Sequence, residues 1–87
     1  MAWEIEVSKE ARKTLRKLDR STSERITLGI IEIAACDNPR SRGIAMTGNY
    51  VGHWRYRIGD HRAIAKLIDQ RLIIHVVKVG HRREVYR

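Results

Sequence analysis

Arginine is concentrated in the second half of this chain, close to groups that can move protons. Arg55 and Arg57 stand two apart in an alternating segment, so they share one face of any strand formed there. Arg62 follows just after Gly59-Asp60. Arg82 follows the apolar run 72–79, with His81 before it and Tyr86 four residues later. A guanidinium is a planar fork of donors that matches phosphate oxygens. Several together can hold an RNA backbone and stabilise charge that develops on a phosphate under attack. The same residues also fit a positively charged outer face of a sheet, with no chemistry attached.

Other chemistries find little support. His53, His61, His75 and His81 do not join cysteine or carboxylate at ligand spacing, so no metal or other cofactor is expected. No glycine-rich phosphate loop is present. Asp60 and Asp69 occupy positions that suit turns. His75, within the most apolar segment, reads as a structural histidine. Cys36, at a helix end with no base nearby in sequence, reads as a buried apolar thiol.

The elements that must position the arginines follow from hydrophobic period. Trp3-Glu4-Ile5-Glu6-Val7 alternates and predicts a strand. Ser8 can cap a helix over about residues 9–19, with Ala11, Leu15 and Leu18 on one side. Ser21 and Glu24 fit a capping box for a second helix, striped by Ile26, Ile30 and Ile33 with Ile31, Ala34 and Ala35 alongside. It should end near Cys36, because Asn38 precedes proline. Residues 40–52 read as a loop with a short extended piece. Residues 53–58, 62–68 and 72–79 predict three strands joined by turns at Gly59-Asp60 and Asp69-Gln70, with Gly80 breaking the last. The third reads as a central strand covered on both faces. The order β-α-α-β-β-β predicts an α+β two-layer sandwich, with two N-terminal helices on one face of an antiparallel sheet.

Length and composition agree. The 87 residues are enough for one small domain. At 43% hydrophobic and 32% charged, the composition is that of a globular chain rather than a disordered one. No apolar run approaches bilayer length and the N-terminus has no signal-peptide pattern, so no membrane is expected and a reducing cytoplasm is the expected setting. Net charge is +8. Residues 1–39 hold seven basic and seven acidic side chains, whereas residues 40–87 hold eleven against three. The whole excess therefore lies beside the arginines, and a polyanionic partner is the natural counterpart.

Trp54-Arg55-Tyr56-Arg57-Ile58-Gly59-Asp60-His61-Arg62 and Val79-Gly80-His81-Arg82-Arg83-Glu84-Val85-Tyr86 resemble segments of the RelE/ParE superfamily of type II toxins, in its RelE-like branch. Ser8-Lys9-Glu10-Ala11 with Leu15 and Leu18, and the order of elements, extend the resemblance over the chain. It implies a metal-independent endoribonuclease that enters the ribosomal A site, against 16S rRNA, and cuts mRNA by attack of the 2′-hydroxyl, so inhibiting translation. It also implies a RelB-like antitoxin, with operator DNA bound only through the antitoxin complex. Carried over residue by residue, it assigns substrate contacts to Arg55 and Arg57, and catalytic roles to Arg62, Arg82 and Tyr86. Nearby guanidinium groups would favour the Tyr86 phenolate as general base, and Arg62 and Arg82 would stabilise the phosphate in transit. His81 joins the substrate contacts and is a competing base, since imidazole is a side chain suited to proton transfer. A ParE-like gyrase poison, or a basic binding module without catalysis, are the alternative readings.

Overall fold

A computed structural model describes residues 3–83 and 85. Glu4–Val7 forms β1, Lys9–Lys17 α1 and Arg20–Ala35 α2. Ile44–Ala45 forms β2, Trp54–Ile58 β3, His61–Ile68 β4 and Ile73–His81 β5. Short 3₁₀ turns cover Pro39–Arg42, Gly48–Tyr50 and Asp69–Arg71. The five strands make one sheet in the order β1-β5-β4-β3-β2, and the architecture is the expected α+β.

The sheet is mixed rather than wholly antiparallel. β2, β3, β4 and β5 pair antiparallel, but β1 runs parallel to β5, with Ile5 opposite Ile74 and Val7 opposite Val76. No hairpin ties β1 to its neighbour. The chain between β1 and β5 is ample for the crossover that parallel pairing needs. β5 is also not covered evenly: Ile74, Val76 and Val79 are buried, while His75 and Lys78 are half-buried.

Each helix begins at a side-chain cap. Ser8 accepts the Ala11 amide at 3.0 Å and donates its hydroxyl to the Val77 carbonyl at 2.8 Å. Val77 is the extra residue of a β-bulge, since Ile64 pairs with Lys78 and Ala65 with Val76. One serine thus starts α1 and satisfies the bulge. For α2 the cap is Asp19, not Ser21. Its carboxylate accepts the Thr22 amide at 3.1 Å and the Ser21 and Thr22 hydroxyls at 2.7 and 2.6 Å. These bonds favour the ionised form and hold the Asp19 pKa down at about 2. Glu24 turns to Arg20 instead, at 3.1 Å.

The core lies between the helices and one face of the sheet. Ala11, Ile26, Ile30, Ile33 and Ala34 meet Tyr56, Ala63, Ala65, Leu67, Ile74, Val76 and Val79. Ile31 and Ala35, expected on the α2 stripe, face outward. Alternation along β3 puts Trp54, Tyr56 and Ile58 on the helix side, and Arg55 and Arg57 on the other, as the sequence predicts. Gly59 adopts φ 60° in the β3–β4 turn, which suits a residue without Cβ.

Gly80 does not break β5. It stays in register opposite Arg62, and the strand continues to His81. A Cβ at Gly80 would lie 3.1 Å from the Cα of Val85. Glycine therefore lets the segment after β5 fold against the sheet face that carries Arg62. Val85 is buried there, and its amide donates to the His81 carbonyl at 2.9 Å.

Candidate functional site

The face opposite the helices gathers the strand arginines. Arg57 and Arg62 are cross-strand partners, and Arg55 lies two residues along β3 beside Ile64. With Arg42, Gly43 and Ile44 they line a concavity of about 240 Å³. Among the described residues, those lining it bring four guanidinium groups and no carboxylate. Like charges directly opposed across a ladder oppose sheet stability. A bound polyanion would turn that repulsion into attraction.

The Arg62 guanidinium donates to the carbonyls of His61 at 3.0 Å and Gly59 at 3.3 Å, which holds it against the β3–β4 turn. The Arg82 amide donates to the Asp60 carbonyl of that turn at 2.9 Å. The structure thus brings the backbone of Arg82 to the end of the hairpin that carries Arg62. The exposed Arg82 side chain does not line the concavity.

His81 takes the other direction. It pairs with His61, their rings edge-to-face at 5.6 Å between centroids. Both alternate away from Arg62 and Gly80, towards the helix side. The Arg83 amide donates to His81 Nδ1 at 3.3 Å. His81 is not brought together with Arg55, Arg57 and Arg62. Tyr86 lies outside the described residues.

Arg42 is the residue that sequence pattern misses, because it sits in a loop far from β3. The available signal is the Arg40-Ser41-Arg42-Gly43 run just after the proline that ends α2. Its loop is held from three sides. The buried Tyr56 hydroxyl donates to the Pro39 carbonyl at 3.0 Å. Arg40 makes a bidentate pair with Asp69 at 2.8 and 2.7 Å and stacks its guanidinium 5.8 Å from the Trp54 ring centre. Gly43 passes so close to Tyr56 that a Cβ would fall 2.7 Å from its ring. Burial pushes the Tyr56 phenol up to about 12, so it serves as a brace and not as a base. Arg40 hydrogen-bonds the Asp69 carboxylate and holds its pKa below the usual range.

Cys36 is half-buried rather than enclosed. Its thiol contacts the Glu32 carbonyl and the Arg42 guanidinium, each at 3.4 Å. Arg42 also approaches Glu32 at 4.0 Å, an exposed pair that constrains it weakly. Chemically, the described residues place positive charge and guanidinium donors around one concavity, an arrangement that suits an anion. Among the described residues, no helix is long and apolar enough to cross a membrane.

Comparison with known proteins follows the same lines. Residues 5–86 match the family model described as the ParE toxin of a type II toxin–antitoxin system, parDE. The toxin–antitoxin complex RelBE2 from Mycobacterium tuberculosis superposes with a TM-score of 0.86 at 18% identity, covering 97% of this chain and 95% of that one. The intact E. coli RelBE complex gives 0.73 at 17%, covering 92% and 96%. The archaeal RelE–RelB complex from Pyrococcus horikoshii gives 0.72 at 23%, covering 98% and 100%. At these identities the structures show a shared fold. No curated protein matches the chain.

Proposed function

We propose that this chain, which belongs to the ParE toxin family of type II toxin–antitoxin systems, acts as a metal-independent endoribonuclease that cuts mRNA in the ribosomal A site. The observation that carries this reading is the concavity lined by Arg42, Arg55, Arg57 and Arg62, with no carboxylate among its described lining residues; the Glu32 carboxylate reaches Arg42 from outside it, at 4.0 Å. Four guanidinium forks around one small concavity supply the charge and donors that a phosphate under attack needs.

In this mechanism Arg55, Arg57 and Arg42 hold phosphate oxygens on either side of the cut. Tyr86, as phenolate, takes the proton of the 2′-hydroxyl. The 2′-oxygen forms a bond to the adjacent phosphorus while the bond from phosphorus to the 5′-oxygen breaks. Arg62 and Arg82 stabilise the extra negative charge of the pentacovalent phosphate. The departing 5′-oxygen takes up a proton from water, leaving a 2′,3′-cyclic phosphate and a 5′-hydroxyl. Because the arginines hardly deprotonate, their part is electrostatic. The ribosome supplies an ordered codon and further negative charge around the basic half.

A cognate antitoxin is the expected protein partner, since the solved neighbours include RelB-containing complexes. An acidic or amphipathic segment would cover the arginine face and mask the site. The complex, rather than the toxin alone, would contact operator DNA.

The family description names the ParE toxin, which keeps open the second reading that the sequence resemblance offers, a poison of DNA gyrase on the same fold. Product chemistry separates the two. Cleaved RNA ending in a 2′,3′-cyclic phosphate, formed in excess chelator, supports the ribonuclease. Inhibition of gyrase supercoiling by the pure protein, with mRNA intact on ribosomes, supports the poison.

A further inference from the structure

Beside the arginine cradle lies a second concavity, of about 420 Å³, walled by Ile44, Met46, Thr47, Asn49, Tyr50 and Arg55. Ile44 and Arg55 line both, so the two concavities adjoin along the β2–β3 edge. We infer that this second concavity is a base-reading subsite, which takes one unstacked nucleobase of a single-stranded RNA whose phosphate lies on the arginines. The inference rests on the RNA reading above and extends it from backbone to base.

The lining fits the chemistry of a base. A nucleobase has two apolar faces and a polar edge. Ile44 and Met46 offer apolar contact, and Ile44 is 57% exposed, one of five exposed large apolar side chains among the described residues. Tyr50 supplies an aromatic plane for stacking. Thr47 and Asn49 supply uncharged donors and acceptors for a base edge, and Arg55 stands at the junction with the phosphates.

The subsite is also organised in advance. The Met46 amide donates to the His53 carbonyl at 3.0 Å, and the His53 amide returns to the Tyr50 carbonyl at 2.9 Å. The Tyr50 ring stands edge-on to His53, 6.0 Å between centroids at 89°. The amides of Tyr50 and Val51 donate to the Thr47 and Gly48 carbonyls at 3.3 and 3.2 Å. Little ordering would remain to be done when a base enters.

The test is a double-mutant cycle on the full chain, read by fluorescence anisotropy with uncleavable 2′-O-methyl RNA. One axis is Tyr50→Ala. The other is an abasic residue walked along the RNA. The expected result is that Tyr50→Ala weakens intact RNA roughly five- to a hundredfold, while Tyr50→Phe does not. At one abasic position the wild type should lose the same factor, and Tyr50→Ala should then add nothing. Asn49→Ala, on the exposed turn, should flatten the preference among bases at that position. Equal losses at every abasic position, or no loss with Tyr50→Ala, overturn the subsite. If Arg57→Ala still weakens binding in that case, the phosphate cradle stands without it. If the wild type binds neither RNA, the subsite is overturned, while the ribosome-dependent reading is decided separately by cleavage on programmed ribosomes.

Discussion

Arg57 and Arg62 face each other as Cα partners across the β3–β4 ladder, with no carboxylate among the described residues that line the concavity between Arg42 and the sheet. Cross-strand like charges work against a sheet by a few tenths of a kcal/mol to about 1 kcal/mol. Arg57→Thr should therefore leave stability unchanged or slightly raised in urea denaturation, while RNA affinity falls. The slope of log affinity against log salt should drop by about 0.7 for each single-strand phosphate that is no longer neutralised. A less stable variant with an unchanged salt slope would assign Arg57 to structure instead.

Tyr56 reaches across the core to the loop that carries Arg42. Tyr56→Phe keeps the ring against Gly43 but strands the Pro39 carbonyl, at a cost of about 1–2 kcal/mol. The midpoint of thermal unfolding should fall, and RNA binding should weaken modestly as Arg42 is no longer held in place. Arg42→Ala in the same background should then cost less affinity than in the wild type. Full additivity of the two changes would separate the brace from the site.

Gly80 makes room for Val85, the neighbour in sequence of the proposed base Tyr86. Adding a methyl group in Gly80→Ala brings it to 3.1 Å from Val85, whose backbone must give way. Cleavage should fall tenfold or more while circular dichroism still reports the sheet. Retained activity with a large loss of stability would show that the contact serves packing alone.

Asp19 sets a pH dependence whose sign is fixed. Its folded pKa, about 2, lies below the ordinary 3.8 because Thr22 and Ser21 bond the carboxylate. The stability it adds is complete above pH 4 and drains away as pH falls from 4 towards 2. Asp19→Ala should unfold at a lower temperature than wild type at pH 6, and the gap should close by pH 3 to 2. A gap that is constant over this range would remove the carboxylate from the argument.

Much of the fold is legible in the sequence, because period and turn chemistry are local. Alternation in β3 assigned Tyr56 to the core and Arg57 to the open face, and the structure agrees. The direction of β1 was not legible, since no turn ties it to β5. Gly80 was misread for a similar reason. Its glycine answers to Val85, a contact made only after the chain folds back. At the site, Arg55, Arg57 and Arg62 followed from strand parity and a two-residue turn. Arg42 did not, because Tyr56, Gly43 and the Arg40–Asp69 pair place it through tertiary contacts. His81 was adjacent to Arg82 in sequence, but strand alternation turned it away.

The most direct test is primer extension on an mRNA held in programmed ribosomes, and on the same mRNA free, with wild type, Arg62→Ala and Tyr86→Phe compared. The account predicts cuts inside the A-site codon only with ribosomes present, abolished by either substitution in folded protein. Intact mRNA in both settings from folded wild type, or cleavage by both variants at the wild-type rate, would contradict it.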